Sequence, residues 1–244
     1  MIIDTHSHLG FDEIFDEDFT EKELLESQKK NGIDINLVQP AVVHDFETVK
    51  KYHDAIYDLC NRFKDRFKGI ANPNPHLPDN LYEKEIKRCI LELGFIGIKI
   101  HPFGHAVNVN GRHGSFAFKL ASYLRVPVLV HTGVGIPWSE PSLLNKKIEE
   151  HQDIPVIICH AGGIFAAEAE EMVRRYSNVF LELSWQSNFI IKKWTETIGA
   201  HRLMFGSDHA DNAVIEITKI KSLGLKPEDE DLILYKTAKK VFNI

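Results

Sequence analysis

The chain of 244 residues has little cysteine, no long apolar run and no excess of basic charge. Its three cysteines, Cys60, Cys89 and Cys159, are odd in number and lack CxxC spacing, which argues against structural disulfides or a cysteine zinc site. No stretch approaches the roughly 18 consecutive apolar residues that can cross a membrane. With 29 basic and 35 acidic residues the formal charge is −6, which argues against a basic surface for nucleic acid.

Targeting and linker signals are also missing. The amino terminus, MIIDTHSHLG, has an acidic residue and two histidines where a signal peptide has basic residues and an apolar run. Together with the unpaired cysteines, this predicts a cytoplasmic protein that is not bound to a membrane. Neither a Ser/Gly linker nor a low-complexity stretch marks a domain boundary, so residues 1–244 are expected to form a single domain.

Short runs rich in isoleucine and valine alternate with amphipathic segments of helical length. The predicted strands are Met1–Thr5, Ile35–Val43, Gly69–Asn72, Phe95–Ile100, Val126–Val130, Ile154–Cys159, Val179–Leu183 and Leu203–Phe205. Eight strand-then-helix units at a mean spacing of roughly 29 residues are typical of a (β/α)8 TIM barrel. The alternative, a doubly wound open sheet, would carry a glycine-rich phosphate turn after the first strand, and THSHLG contains no GxGxxG. The sequence predicts an α/β fold with one barrel.

Histidines are concentrated at the predicted strand ends, where the active sites of such barrels lie. Six of the 13 histidines follow a strand, namely His6, His8, His44, His101, His131 and His160. His6 and His8 are two positions apart, so both point to one face and suit two ligands of one metal ion. Asp208 follows the eighth strand. The alternatives are an accidental HxH, satisfied polar side chains at the other strand ends, and a helix cap at Asp208.

Histidine ligands with one carboxylate suit a borderline divalent ion. Zinc is the first expectation, and manganese, iron or cobalt are the alternatives. Such an ion lowers the pKa of a bound water to about 7. Asp208 beside that water could take its proton, and His160 could polarise the substrate or shuttle a proton.

The motifs DTHSH, GIKIHP, VLVHTG, ICHAGG and MFGSD occur in this order between residues 2 and 208. Together they resemble the amidohydrolase superfamily of metal-dependent barrel enzymes, and most closely its amidohydrolase-2 branch of hydrolases and non-oxidative decarboxylases. The resemblance implies that the metal ligands are His6, His8, His131 and Asp208. It also implies that His160 is a catalytic histidine or a ligand of a second metal.

The predicted fourth strand leaves the number of metal ions open. Binuclear members of the superfamily bridge two ions there with a carboxylated lysine or a glutamate, and this chain offers Lys99 and His101. We expect one ion per chain, because a GxK at this strand resembles the mononuclear sites of the branch. In the binuclear alternative Lys99 is carboxylated and His160 binds the second ion. In a third interpretation Lys99 forms an interior ion pair with Asp4.

The leading hypothesis for function is hydrolysis of an amide, ester or lactone bond in a small molecule by a metal-activated water. The alternative is a metal-dependent non-oxidative decarboxylase with the same ligands. Hydrolysis of phosphodiesters, as in the deoxyribonuclease branch, is disfavoured by the missing glutamate and the acidic charge. No nucleic acid partner is expected, and assembly as a homo-oligomer is left open.

Four weaker expectations concern single segments. Cys159 is expected to face outward, and the acidic run Asp12–Glu23 to be a solvated loop and helix start. His53 is expected at the surface. Substrate specificity is assigned to the loops after strands, of which Phe103–Arg112 and Gly133–Glu140 are the most distinctive.

Overall fold

Eight parallel strands and one short antiparallel strand make up the sheet structure in the described part of the computed structural model. The structure describes residues 1–133 and 138–244. The strands are β1 (Ile3–Asp12), β2 (Glu17–Phe19), β3 (Ile35–Pro40), β4 (Phe67–Gly69), β5 (Ile98–Ile100), β6 (Val128–His131), β7 (Val156–Cys159), β8 (Val179–Glu182) and β9 (Leu203–Met204). Their order is β2-β1-β3-β4 in one hydrogen-bonded group and β5-β6-β7-β8-β9 in the other.

Backbone hydrogen bonds join these two groups at both edges. Between β4 and β5, the Lys99 N–H donates to the Ala71 carbonyl at 2.7 Å, next to a parallel bridge from Ala71 to Ile98. Between β9 and β1, the Thr5 N–H donates to the Phe205 carbonyl at 3.1 Å. The sheet is therefore closed, and the predicted (β/α)8 barrel is confirmed.

Helices follow the strands around the barrel. They are α1 (Glu21–Asn31), α2 (Phe46–Arg62), α3 (Asp79–Lys87), α4 (Arg112–Leu124), α5 (Asn145–Glu150), α6 (Ala166–Arg175), α7 (Asn188–Trp194), α8 (Ala213–Lys221), α9 (Pro227–Asp231) and α10 (Thr237–Phe242). Side-chain caps set their starts: Thr20 and Glu23 form a capping box at α1, and Asp45 accepts two N–H bonds at α2. None of the described helices is long and apolar enough to cross a membrane.

Alternation along the strands separates the barrel interior from the layer under the helices. Val156 and Ile158 pack in the outer cluster, whereas Ile157 and Cys159 pack in a second, inner cluster with Leu129. The expectation that Cys159 faces outward is therefore wrong. Its thiol lies inside the barrel, where Lys99 donates to the sulfur at 3.4 Å.

The acidic segment after the first strand is only partly a solvated loop. β1 continues to Asp12, and β2 pairs with it in antiparallel register, with Gly10 opposite Phe19. Asp12 is buried, and its carboxylate is satisfied there because it accepts the backbone N–H groups of Ile14 and Val42 at 2.9 and 2.8 Å. This hairpin places Phe19 above the barrel.

His53 is buried, contrary to the expectation of a surface position. Its Nδ1 lies 2.8 Å from Glu85, and its Nε2 accepts the Asn72 N–H at 3.1 Å. Arg88 donates to both Glu85 oxygens, at 2.9 and 2.7 Å. The pair ties α2 to α3 and to the segment after β4. The role of the His53–Glu85 pair is therefore structural.

We expect Glu85→Gln to lower the free energy of unfolding by about 3 kcal/mol at pH 7, the cost of breaking a buried ion pair. Burial alone would raise the pKa of Glu85, but hydrogen bonds from His53 and Arg88 lower it to about 2, from an ordinary value of 4.5. The contribution of the ionised Glu85 carboxylate to the free energy of unfolding is therefore complete above pH 4.5 and is lost as the pH falls towards 2. Urea unfolding at pH 7, 4 and 2.5 should show the difference from wild type shrinking.

The matched control is Glu21→Gln, which removes a solvent-exposed ion pair with Arg62. Such pairs contribute less than about 1 kcal/mol, so this variant should stay near wild type. Equal losses in the two variants would contradict the role given to Glu85.

Candidate metal centre

Three donor atoms, two from β1 and one from the segment after β9, converge at the mouth of the barrel. The Nε2 atoms of His6 and His8 lie 3.3 Å apart. Asp208 Oδ1 lies 3.1 Å from His6 Nε2 and 3.2 Å from His8 Nε2. The structure thus brings together three of the four residues named as ligands from the sequence, at mutual distances that a single ion could span.

The backbone at the strand ends explains this convergence. The register of β1 against β3 shifts between Asp4 and Ser7, so the strand is irregular at His6, the first histidine of the HxH pair. The Asp208 N–H donates to the His6 carbonyl at 2.8 Å, and its backbone has a left-handed φ of 66°. Asp4 accepts the Ser207 N–H and hydroxyl at 2.9 and 2.5 Å, which binds the two strand ends together.

His160 reaches the same place through an unusual turn. It follows Cys159, which already points inward, so regular alternation would direct His160 outward. Instead His160, Ala161 and Gly162 all have left-handed φ values of 58°, 46° and 80°. The His160 N–H donates to Glu182 at 3.1 Å, which holds the first of these residues. The turn returns the imidazole to the barrel mouth.

His6, His8 and Asp208 form what we call the donor cluster. His160 connects this cluster to His131. His6, His160 and Asp208 offer ligand atoms that all lie within 4.8 Å of one another. His160 Nε2 is 3.1 Å from His131 Nδ1, and His160 Nδ1 is 2.8 Å from the Ser184 hydroxyl. Burial lowers the pKa of His160 to about 4, so its neutral form predominates at pH 7. The fourth named ligand, His131, thus adjoins the cluster through His160.

Glu182, which sequence reasoning missed, supports the cluster from below. This fully buried carboxylate lies 2.8 Å from His6 Nδ1 and accepts the Ser184 N–H at 2.6 Å. Because Nδ1–H then donates to Glu182, the Nε2 lone pair of His6 points towards Asp208. A side chain at Gly206 would place its Cβ 2.3 Å from Glu182, so glycine is needed there. A charged residue within the apolar run VFLEL is the signal that could have revealed it.

Lys99 and His101 both adjoin the cluster. Lys99 Nζ is buried, 3.0 Å from His6 Nε2, whereas the Asp4 carboxylate is bonded to Ser207 instead. The interior Lys99–Asp4 pair is therefore not formed. The His101 ring stacks on His131 with centroids 4.0 Å apart, and its Nδ1 accepts the Gly104 N–H at 2.8 Å.

Burial and neighbouring charges together set the pKa values of His6 and Asp208. Burial, reinforced by the Lys99 ammonium, lowers the pKa of His6 well below its ordinary value. Burial alone would raise the pKa of Asp208, but the neighbouring histidines His6 and His160 hold it well below the ordinary range. The site therefore presents neutral imidazoles at His6 and His160 and an anionic carboxylate at Asp208, which are the forms that bind a cation. Two imidazole nitrogens and a carboxylate oxygen fit zinc or manganese.

A cavity of about 580 Å³ opens above the cluster. Its walls include five apolar side chains, Phe15, Phe19, Ile164, Trp185 and Ile190. None of the described residues that line it is a lysine or an arginine. The sequence assigns substrate specificity to two loops, Phe103–Arg112 and Gly133–Glu140. Residues 134–137 of the second loop lie outside the described residues. In the first, Arg112 is paired with Asp79 at 2.5 Å.

Comparison with known proteins shows the family of the chain. The family model described as amidohydrolase matches residues 3–244. Gamma-resorcylate decarboxylase from Rhodococcus jostii (strain RHA1) is 30% identical over 77 residues, which are 32% of this chain and only 23% of that enzyme.

Two solved structures share the whole fold. One is a 2,6-dihydroxybenzoate decarboxylase complexed with 2,6-dihydroxybenzoate, with a TM-score of 0.78, 16% identity, and coverage of 100% of this chain and 99% of that chain. The other, a dihydroxybenzoic acid decarboxylase from Polaromonas with bound manganese and 2-nitroresorcinol, has a TM-score of 0.74 and 15% identity over 99% and 96% of the chains. At these identities they show the fold alone. The family match along nearly the whole chain confirms the resemblance seen in the sequence, and the protein belongs to the amidohydrolase family of metal-dependent enzymes.

Proposed function

We propose that the protein is a metal-dependent, non-oxidative decarboxylase of an aromatic carboxylate. The observation that carries this proposal is the cavity, which combines aromatic and aliphatic walls with a cluster of metal-type donors. Because no lysine or arginine is among the described lining residues, the positive charge that balances a bound carboxylate would come from a cation held by that cluster. Such surroundings favour loss of the charged group as neutral CO₂. The decarboxylase names of the similar proteins support the same choice.

For the metal, we propose one divalent ion per chain held by His6, His8, His131 and Asp208. Zinc is the first expectation from the ligands, and the manganese in the Polaromonas structure supports manganese as an alternative, ahead of iron or cobalt. A bound ion would supply positive charge that binds substrate oxygens and stabilises charge developing on them. We further propose that residues 1–244 form one catalytic domain in the cytoplasm.

The chain's own residues supply the proton transfers. In decarboxylation the bond between the ring and the carboxylate carbon breaks, its electron pair stays on the ring carbon, and that carbon takes up a proton. Asp208 and His160 are placed at the donor cluster to hold and pass this proton. The Ser184 hydroxyl, 2.8 Å from His160 Nδ1, fixes the orientation of the imidazole. Phe19 and Trp185 at the cavity wall would contact the substrate ring.

Hydrolysis of an amide, ester or lactone is the second candidate, and the position of Asp208 among imidazoles favours it. In that reaction Asp208 would take a proton from water and His160 would pass it to the leaving group. Phosphodiester hydrolysis has less support, since the described cavity wall offers no cationic side chain for phosphate.

Product analysis distinguishes the two candidates. Protein loaded with Mn²⁺ or Zn²⁺ is incubated with hydroxylated benzoates, and separately with aryl amides, esters and lactones, in ¹⁸O-labelled water. We expect CO₂ in the headspace from a benzoate, and in D₂O one deuterium at the carbon that lost the carboxylate. Chelator-treated protein is the control. Incorporation of one ¹⁸O atom into an acid product, without CO₂ release, would replace the decarboxylase proposal with the hydrolase.

A further inference from the structure

The two oxygens of the Asp208 carboxylate have different partners. Oδ1 faces the imidazoles of His6 and His8. Oδ2 accepts a hydrogen bond of 2.8 Å from the indole Nε1–H of Trp185. Oδ1 is thus directed at the two imidazoles, and Oδ2 is held by a residue of the cavity wall.

The backbone of Trp185 is itself held in place. Its φ of 63° lies in the left-handed region, which is unfavourable for a residue with a Cβ. The Trp185 N–H donates to Glu216 Oε1 at 3.0 Å, and Glu216 is a buried residue of α8 that also pairs with Lys219 at 2.7 Å. The bond to Glu216 therefore holds the backbone in the conformation from which the indole reaches Asp208, although 55% of the Trp185 surface is exposed.

Neighbouring rings limit the movement of the indole further. Trp185 contacts His209 edge-on, with centroids 5.7 Å apart, and His209 contacts Phe19 in the same way at 5.1 Å. These contacts link the segments that follow β8 and β9 to the hairpin strand β2. Trp185 is half exposed, its backbone is strained, and the indole N–H, the single donor of its side chain, is bonded to Asp208. Packing in the cavity wall alone would not require so precise a placement.

We propose that Trp185 is a positioning residue for Asp208, and that its indole N–H restricts the carboxylate to binding metal through Oδ1. Without this donor, the carboxylate can rotate and present both oxygens to the ion. The inference rests on the proposed role of Asp208 as a ligand. It predicts that loss of the N–H changes the coordination of the ion while the fold is kept.

The test compares Trp185→Phe with Trp194→Phe. The control variant loses the same kind of bond, because the Trp194 indole donates to Glu170 at 2.9 Å, away from the donor cluster. Metal-free protein is titrated with Co²⁺ and followed by visible absorption. For Trp185→Phe we expect altered ligand-field bands and Co²⁺ binding weaker by about tenfold to 100-fold, the usual effect of losing a partner of a metal ligand. Trp194→Phe should match wild type in both.

The outcomes separate this inference from the proposed function. Wild-type protein that binds no Co²⁺ would overturn the ligand set and the role of Trp185 with it. Wild type that binds Co²⁺ with the same bands and affinity as Trp185→Phe would overturn the role of Trp185 alone. Melting curves check folding, and Trp185→Leu, which removes the same donor, provides a second measurement if the phenylalanine variant unfolds.

Discussion

Asp208→Asn is expected to lose most bound metal and to reduce turnover by on the order of 10⁴-fold, the upper range for a positioned acid or base. Asparagine keeps the size of the side chain but removes the negative charge. Asp208 is the only anion in the proposed ligand set, and its Oδ1 is in reach of both His6 and His8. An amide oxygen binds a divalent cation less tightly than a carboxylate oxygen, and it cannot take up a proton at neutral pH.

The measurement is metal content after dialysis, together with turnover of the substrate found in the product analysis. Asp211→Asn is the control, because Asp211 is an exposed acid in the same segment. It should keep metal and activity. If Asp208→Asn retained a full complement of metal, Asp208 would not be a ligand, and its role would be limited to proton transfer.

The fold could be predicted because its determinants are local. Apolar runs of strand length, separated by amphipathic segments, are sufficient to specify a repeating βα unit. The convergence of His6 and His8 could also be predicted locally, because alternation along one strand directs both side chains to one face. Placement of strand ends at one rim of a barrel then brings Asp208 to them, across 200 residues of sequence.

Departures from alternation could not be predicted. Cys159 and His160 both point into the barrel because four consecutive residues, beginning with His160, have positive φ values. The glycines at 162 and 163 are compatible with a turn, but His160 and Ala161 are not glycines, so nothing in the sequence indicated that the turn begins at His160. It is held by a long-range bond from the His160 N–H to Glu182, which no local pattern in the sequence contains.

Buried polar pairs were missed for a related reason. The partner of His6 is Glu182, 176 positions away, and the partner of His53 is Glu85 on another helix. A histidine or glutamate within a helix or strand is assigned to the surface by default, since unpaired charge is costly to bury. Pairing removes that cost, and only the folded chain shows which residues pair.

For His160→Gln we expect about one metal ion per chain, as in wild type, and turnover lower by roughly 10²–10⁴. Glutamine can still bond to the Ser184 hydroxyl, so the position is kept. It cannot exchange a proton near neutral pH, however, and the path between Asp208 and the substrate is interrupted. Metal analysis and the rate constants kcat and KM of both proteins test this. The effect should fall on kcat.

His201→Gln, at an exposed position on the outside of the barrel, is the control and should behave as wild type. The same experiment decides the number of ions. If Lys99 is carboxylated and the site is binuclear, His160→Gln should lower the metal content from two ions to one. That result would overturn the mononuclear proposal, because Lys99 and His160 would then be ligands of the second ion. One ion retained with full activity would instead remove His160 from the proton path, leaving Asp208 as the group that carries it.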